Sequence, residues 1–183
     1  MTDTDTWLDL ALAAARRGDT SGFDALYNEL GGPVTAFAKA RGATDAEGIT
    51  NEVFIDVFRR LDSFTGDYSG FRSWVFAIAR NRLVDAYRRD QRQPDLTNAP
   101  SVGSATPSAE HVALEHLGDA RVGEMLNRLT LDQREVIVLR IVADLSLAEV
   151  AVIVDKPVTA VKRLQARGLR RLQQEILDRE VSS

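Results

Sequence analysis

The sequence predicts an all-α chain of two small helical domains joined by a flexible linker. Apolar residues recur at helical spacing in both halves, and two capping boxes, each a Ser or Thr followed three residues later by Glu or Gln, mark helix starts. Between the halves, residues 90–111 hold three of the five prolines and show almost no periodicity. We therefore place the first domain at residues 1–90, the linker at 91–118 and the second domain at 119–183.

The first domain is predicted to be helical throughout. The apolar positions from Phe23 to Leu30 predict a helix that ends at Gly31-Gly32-Pro33, and Val34 begins the next one. A third, strongly amphipathic helix covers Ile49 to Leu61, and a fourth runs from about Phe71 to Arg89. Four helices of this length can enclose one modest core.

The outer side of the third predicted helix carries two like charges. Glu52 and Asp56 are four residues apart, which is mildly unfavourable, and Arg59 and Arg60 offset it only in part. Either this is an ordinary solvated surface, the commoner case, or it faces a basic partner.

All twelve aromatic residues lie between Trp7 and Tyr87, and five of them crowd into residues 64–76. Aromatic rings can stack with unstacked nucleic-acid bases, or they can simply form the core. For Phe71 and Trp74, which share a helical apolar face, we favour the core. The end of the fourth helix is basic, with four arginines against two aspartates, and this predicts a groove for a nucleic-acid backbone: Arg80, Arg82, Arg88, Arg89.

The linker could span about 60 Å if eighteen of its residues were extended. It adjoins the only two histidines, His111 and His116, whose spacing of five does not place them on one helical face. We expect no metal or acid-base role for them, and no cofactor.

The segment from Ser146 to Leu172 predicts two helices around a tight turn. Ser146 and Glu149 form a capping box, the turn falls at Asp155-Lys156-Pro157, and a second helix begins at about Val158. From Lys156 to Arg171 there are six basic residues and no acidic one. Such a helix suits the major groove of DNA, although a solvated face on an ordinary helical hairpin is the alternative.

Composition limits the possible classes. The chain has no Cys, which excludes disulfides and thiol chemistry, and it begins with acidic residues rather than a signal peptide or membrane span. We therefore expect a cytoplasmic protein that does not insert into membranes.

The formal net charge is -4, but residues 121–183 hold 11 basic against 9 acidic side chains. Weak binding to free DNA is expected, so a larger partner is needed. An enzyme is not expected, because no nucleophile, metal cluster or phosphate loop is recognisable.

Three segments in this order resemble the extracytoplasmic-function (group 4) sigma factors of the sigma-70 family of bacterial RNA polymerase. Asp45 to Phe64 (DAEGITNEVFIDVFRRLDSF) is similar to the polymerase-docking helix, and Phe71 to Arg89 (FRSWVFAIARNRLVDAYRR) to the helix that melts and recognises the minus-ten element. Leu126 to Leu172 resembles the domain that recognises the minus-thirty-five element. The resemblance covers nearly the whole chain.

The resemblance implies an alternative sigma factor that binds core RNA polymerase and promoter DNA, with no catalytic activity and no cofactor. It further implies an anti-sigma protein that covers both DNA-binding domains. The residues implied are Asn51, Glu52 and Asp56 for polymerase binding; Phe64, Asp67, Tyr68, Arg80, Asn81, Arg88 and Arg89 for the minus-ten element and melting; and Lys156, Thr159, Lys162, Arg163 and Arg167 for the minus-thirty-five element.

The chain departs from the family pattern at a few positions. Thr130 stands where Pro often precedes a helix, but Thr130 and Gln133 form a capping box that can start it. Asp155 takes the usual Gly position in the turn, which Asp can fill in the left-handed region at some strain. The alternative function is a stand-alone helix-turn-helix regulator, which would bind its operator tightly without polymerase.

Overall fold

The computed structural model describes residues 3–92 and 120–181, and every regular element in these two ranges is a helix. The first range forms the N-terminal module and the second forms the C-terminal module. A single 3₁₀ turn, Leu61–Ser63, follows the third helix. The α-helices are α1 (Asp3–Arg16), α2 (Thr20–Ala40), α3 (Ala46–Arg60), α4 (Tyr68–Arg92), α5 (Ala120–Asn127), α6 (Leu131–Ile141), α7 (Leu147–Val154) and α8 (Val158–Val181).

Side-chain caps and apolar stripes explain the N-terminal module. The Asp19 carboxylate accepts the Ser21 N–H at 2.9 Å at the start of α2, and Asp45 accepts the Gly48 N–H at 2.8 Å at the start of α3. The four helices then bury their apolar faces against one another. The most buried side chains include Leu8, Leu12, Leu26, Val34, Phe37, Val53, Phe71 and Phe76.

The predicted helix end at Gly31-Gly32-Pro33 is wrong, because α2 continues through these residues to Ala40. A proline inside a helix removes one backbone hydrogen bond and costs roughly 3 kcal/mol. Here Leu30, Val34 and Phe37, on both sides of the proline, are buried in the same core. Their tertiary packing outweighs the local penalty, as it commonly does for amphipathic helices.

The C-terminal module follows its local signals closely. Both predicted capping boxes are present, Thr130 with Gln133 at the start of α6 and Ser146 with Glu149 at the start of α7. Asp155 ends α7 in the left-handed region, with φ 53° and ψ 52°. The predicted helix-turn-helix is therefore confirmed as a backbone structure.

The two modules pack against each other. α2 contacts α6 and α4 contacts α7, and the buried apolar residues of both modules belong to one cluster.

The fourth helix begins at Tyr68 and reaches Arg92, so the predicted domain boundary at residue 90 falls inside it. The predictions for most of the linker and for His111 and His116 concern residues outside the described ranges. No helix within 3–92 or 120–181 combines the length and the apolar character that crossing a membrane requires.

Candidate nucleic-acid interface

The exposed face of α8 forms a basic surface on the C-terminal module. Lys162, Arg163 and Arg167 are exposed, and no ion pair joins them to any described residue. Thr159 is also exposed and lies in the first turn of α8, two residues after Pro157. Lys156 differs from the others, since its Nζ lies 3.1 Å from a carboxylate oxygen of Asp132.

The opposite face of α8 is fixed by close packing on α6. Val161 is fully buried, and Leu164 and Leu172 pack partly against the core. At Gly168, an added Cβ would stand 3.0 Å from a side-chain atom of Ile137, so the two helices approach closely there. This packing directs Arg163 and Arg167 away from the module.

The loop between the 3₁₀ turn and α4, residues 64–67, is held from several sides. Phe64 stacks on Trp74 with ring centroids 5.1 Å apart, and it meets Phe71 edge-on at 5.7 Å. Asp67 is exposed and its carboxylate accepts the Gly70 N–H at 2.9 Å, which caps α4. Tyr68 is only 4% exposed, so its ring belongs to the core in this arrangement. The predicted DNA contact at Tyr68 stays a prediction that its burial does not support.

The four arginines of α4 that the sequence predicts as a nucleic-acid groove divide into two groups. Arg88 and Arg89 are exposed near the end of the helix, as is Asn81. Arg80 and Arg82 are instead partly buried, and each binds a carboxylate of the chain itself. Only the first group is available to a ligand without rearrangement.

The predicted outer position of Asp56 on α3 is wrong. Asp56 is 8% exposed and accepts the Arg82 Nε–H at 2.7 Å, with a second bond from Nη2 of the same guanidinium. This hydrogen bond raises the pKa of Arg82, against the opposing effect of burial. Glu52 does lie at the surface, with its side chain 47% exposed, and Asn51 is exposed and accepts the Tyr27 hydroxyl at 3.1 Å. Arg82 is therefore a cationic partner within the chain for both Glu52 and Asp56.

A buried carboxylate joins the two modules. Glu135 of α6 is 2% exposed, and its two oxygens lie 2.8 Å from Nη1 of Arg41 and 3.1 Å from Nε of Arg80. Arg80 also donates to the Val154 carbonyl at 3.3 Å, at the end of α7. Arg134 donates to the Ala40 carbonyl at 3.2 Å across the same contact.

A second contact joins α4 to the start of α7. Ser73 donates to Glu149, whose other oxygen accepts the Ser146 N–H at 2.6 Å in the capping box. Burial acts to raise the pKa of Glu149, but the hydrogen bonds from Ser146 and Ser73 outweigh it, and the pKa is lowered. Nearby, Arg72 lies 3.7 Å from the exposed Asp144.

The described residues contain no group of three or more His, Asp and Glu side chains placed to hold a metal ion. The geometry is that of two basic surfaces on one helical scaffold, which suits binding of an anionic polymer at two places.

Two family profiles match the chain in the same order as the two modules. The profile described as Sigma-70 region 2 matches residues 26–93, and the one described as Sigma-70, region 4 matches residues 119–172. The ECF RNA polymerase sigma factor SigD of Mycobacterium tuberculosis is 30% identical over 179 residues, which cover 93% of this chain and 84% of SigD. The chain belongs to the extracytoplasmic-function sigma factors of the sigma-70 family. It is an alternative sigma factor that directs transcription.

Two further sigma factors are similar to this chain, one in sequence and one in structure. The ECF sigma factor BldN of Streptomyces coelicolor is 31% identical over 162 residues, which cover 86% of this chain but 61% of BldN. The solved structure of CnrH in complex with the cytosolic domain of CnrY superposes with a TM-score of 0.63 and 26% identity, and it covers 93% of this chain and 97% of CnrH. CnrH is a sigma factor of Cupriavidus metallidurans.

Sequence reasoning missed the residues that join the modules of this sigma factor. Glu135 of α6 directly precedes four buried apolar residues, Val136 to Leu139. A carboxylate on a predicted buried face is a signal that could have been noticed, because such a group needs a cationic partner. The identity of that partner, 94 residues away at Arg41, has no local signal.

Proposed function

We propose that this chain is a dissociable initiation subunit that brings core RNA polymerase to a small set of promoters and helps to open the DNA. It has no catalytic activity of its own in this proposal and acts in the cytoplasm, where the polymerase is. The observation that carries the proposal is the exposed cationic face of α8 on a helix-turn-helix, together with the match of both sigma regions. The two domains have separate tasks.

The C-terminal module recognises the duplex at the minus-thirty-five element. Thr159, Lys162, Arg163 and Arg167 enter the major groove, where arginine and lysine pair with base edges and with phosphates. Lys156 reaches the backbone once it leaves Asp132. Arg163 and Arg167 are exposed and form no ion pair with any residue in 3–92 or 120–181, which supports this assignment.

The N-terminal module binds the minus-ten element and captures an unstacked base. The exposed loop around Asp67 receives the base, Phe64 and Tyr68 support the loop from the core side, and Asn81, Arg88 and Arg89 hold the adjacent DNA strand. Trapping of flipped bases lowers the cost of melting, so no nucleotide hydrolysis is required. Arg80 joins this surface only after it separates from Glu135.

Polymerase docking uses the exposed side of α3. Asn51 and Glu52 provide the contact surface, and Asp56 orients Arg82 beneath it. The docked arrangement of the two modules also fits control by an anti-sigma protein that covers both of them, as CnrH is bound by the cytosolic domain of CnrY. Isolation of the active protein from uninduced cells without any bound inhibitor would contradict that control.

The experiment that tests the initiation role is run-off transcription from a fragmented genomic library with core RNA polymerase of the source organism. It is run without the chain, with the chain, and with the Arg163→Ala, Arg167→Ala double variant. New transcripts from discrete sites that weaken with the variant support the proposal. Footprints on DNA without polymerase, and no new transcripts, would instead support the stand-alone regulator.

A further inference from the structure

Two side chains of α1 hold the loop at residues 64–67 by its backbone. The Arg16 Nη2 group donates to the Phe64 carbonyl at 2.8 Å and to the Gly66 carbonyl at 3.1 Å. The Asp9 carboxylate accepts the Tyr68 N–H at 2.7 Å, where the loop enters α4. Three backbone groups within five residues are thereby fixed by one helix.

Arg16 also contacts the side chain of the loop. Its guanidinium carbon lies 5.3 Å from the centre of the Phe64 ring, which is stacked on Trp74. Thr65, Gly66 and Asp67 remain exposed between these fixed points. The loop therefore presents a short, exposed strip of backbone on a rigid base.

The side-chain hydrogen bonds of Arg16 are directed at the loop. Within the part of the chain that the structure describes, its Nη2 group donates to the Phe64 and Gly66 carbonyls and to no other residue. Its Nε–H is buried without an acceptor, as are the Nε–H groups of Arg72, Arg134 and Arg140, so the bonds to the loop are what distinguishes Arg16.

We infer that Arg16 and Asp9 are positioning residues for recognition of the minus-ten element. They hold residues 64–68 in the shape in which the loop receives an unstacked base, and they do so from α1, which lies before the residues matched by the region 2 profile. The inference rests on the proposed function, because it assigns to that loop the contact with the minus-ten element. Neither residue touches DNA in this account.

The test measures base discrimination rather than total activity. On a promoter fragment from which the wild-type chain initiates with core polymerase, one minus-ten base and, separately, one minus-thirty-five base are substituted, and the ratio of transcript from the original to the substituted template is measured. With Arg16→Gln we expect the minus-ten ratio to fall about tenfold toward one, because charge-assisted bonds are lost. The minus-thirty-five ratio stays unchanged. Each ratio comes from one protein preparation, so a reduced folded fraction cancels.

Two controls and a rescue complete the experiment. Arg17 is the exposed neighbour of Arg16, so Arg17→Gln should leave both ratios unchanged. Asp9→Ala should act like Arg16→Gln, whereas Asp9→Asn keeps an acceptor for the Tyr68 N–H and should restore the minus-ten ratio. An unchanged minus-ten ratio with Arg16→Gln, or an equal loss in both ratios, overturns the positioning role. Absence of discrete initiation with the wild-type chain overturns the proposed function, and the inference with it.

Discussion

In α4, Arg80 and Arg82 bind carboxylates of the chain itself, whereas Arg163 and Arg167 in α8 are exposed and form no ion pair within the part of the chain that the structure describes. Both helices carry clusters of arginine that look alike in the sequence. The difference shows that a cation's availability depends on what packs against its helix. One of the two surfaces proposed to bind DNA is exposed in this arrangement, and the other is partly engaged by carboxylates of the chain itself.

The cause of the difference is the position of each helix in the fold. α4 packs against α3 and α7, and its arginines meet Asp56 of α3 and Glu135 of α6. α8 packs on α6 and α7 through one face and leaves the other to solvent. An arginine between two layers needs a counter-charge, while one at the surface does not.

The largest expected effect is on promoter-dependent initiation, when the exposed basic face of α8 is changed. Arg163→Ala with Arg167→Ala should reduce promoter-dependent initiation about tenfold or more, because each arginine lost removes a phosphate or base contact. Thermal unfolding should hardly change, since both side chains are exposed.

The matched control is Arg128→Ala, an exposed cation of the same module that lies outside α8. It should leave initiation intact. Equal losses with this control would mean that net charge, and not the face of α8, determines DNA binding.

The next effect concerns the buried carboxylate between the modules. Glu135→Gln leaves Arg41 and Arg80 without a counter-charge, and removal of one partner from a buried pair costs about 3 kcal/mol. We expect the modules to separate. The separation would be measured as a fall in energy transfer between two dyes, one on each module. The dyes are attached to cysteines introduced at exposed Ile55 and Ile141, since the chain has no Cys of its own.

Asp144→Asn is the control for Glu135→Gln. Asp144 forms the exposed pair with Arg72 at 3.7 Å, across the same contact between modules. Exposed pairs contribute about 0–1 kcal/mol, so transfer efficiency should barely change. Similar efficiency in both variants would show that Glu135 does not hold the two modules together.

Two substitutions in α3 have smaller expected effects, one on stability and the other on polymerase binding. Asp56→Asn removes the charge-assisted bonds to Arg82 and should lower the free energy of unfolding by about 1–2 kcal/mol, measured by urea denaturation. Glu52→Gln, at an exposed position, should leave stability unchanged and weaken binding to core polymerase. If Glu52→Gln leaves polymerase binding unaffected, the docking surface lies elsewhere.

The smallest effect is on the pH dependence of unfolding. Because the pKa of Glu149 is lowered in the folded protein from its ordinary value of 4.5, its contribution to stability is complete above that value and is lost as pH falls through the lowered pKa. Ser73→Ala removes one bond that lowers the pKa, so the acid-unfolding midpoint, followed by circular dichroism, should move slightly upward. Ser69→Ala, at an exposed position, should leave it in place. A downward shift with Ser73→Ala would contradict the contact.

The local elements of this protein were determined by its sequence. Both capping boxes, the turn with Asp155 in the left-handed region and the start of α8 at Val158 follow from residues within three or four positions of one another. Hydrogen bonds at this range do not depend on the rest of the chain. The sequence also indicated which cations lie on the exposed face of α8.

Tertiary structure alone decided three further points. α2 passes through Gly31-Gly32-Pro33 because the residues on either side are buried in one core. Asp56 points inward because α4 brings Arg82 to it, and Glu135 binds Arg41 because the modules dock. These contacts join residues up to 94 positions apart, and their free energy comes from burial that no local pattern records.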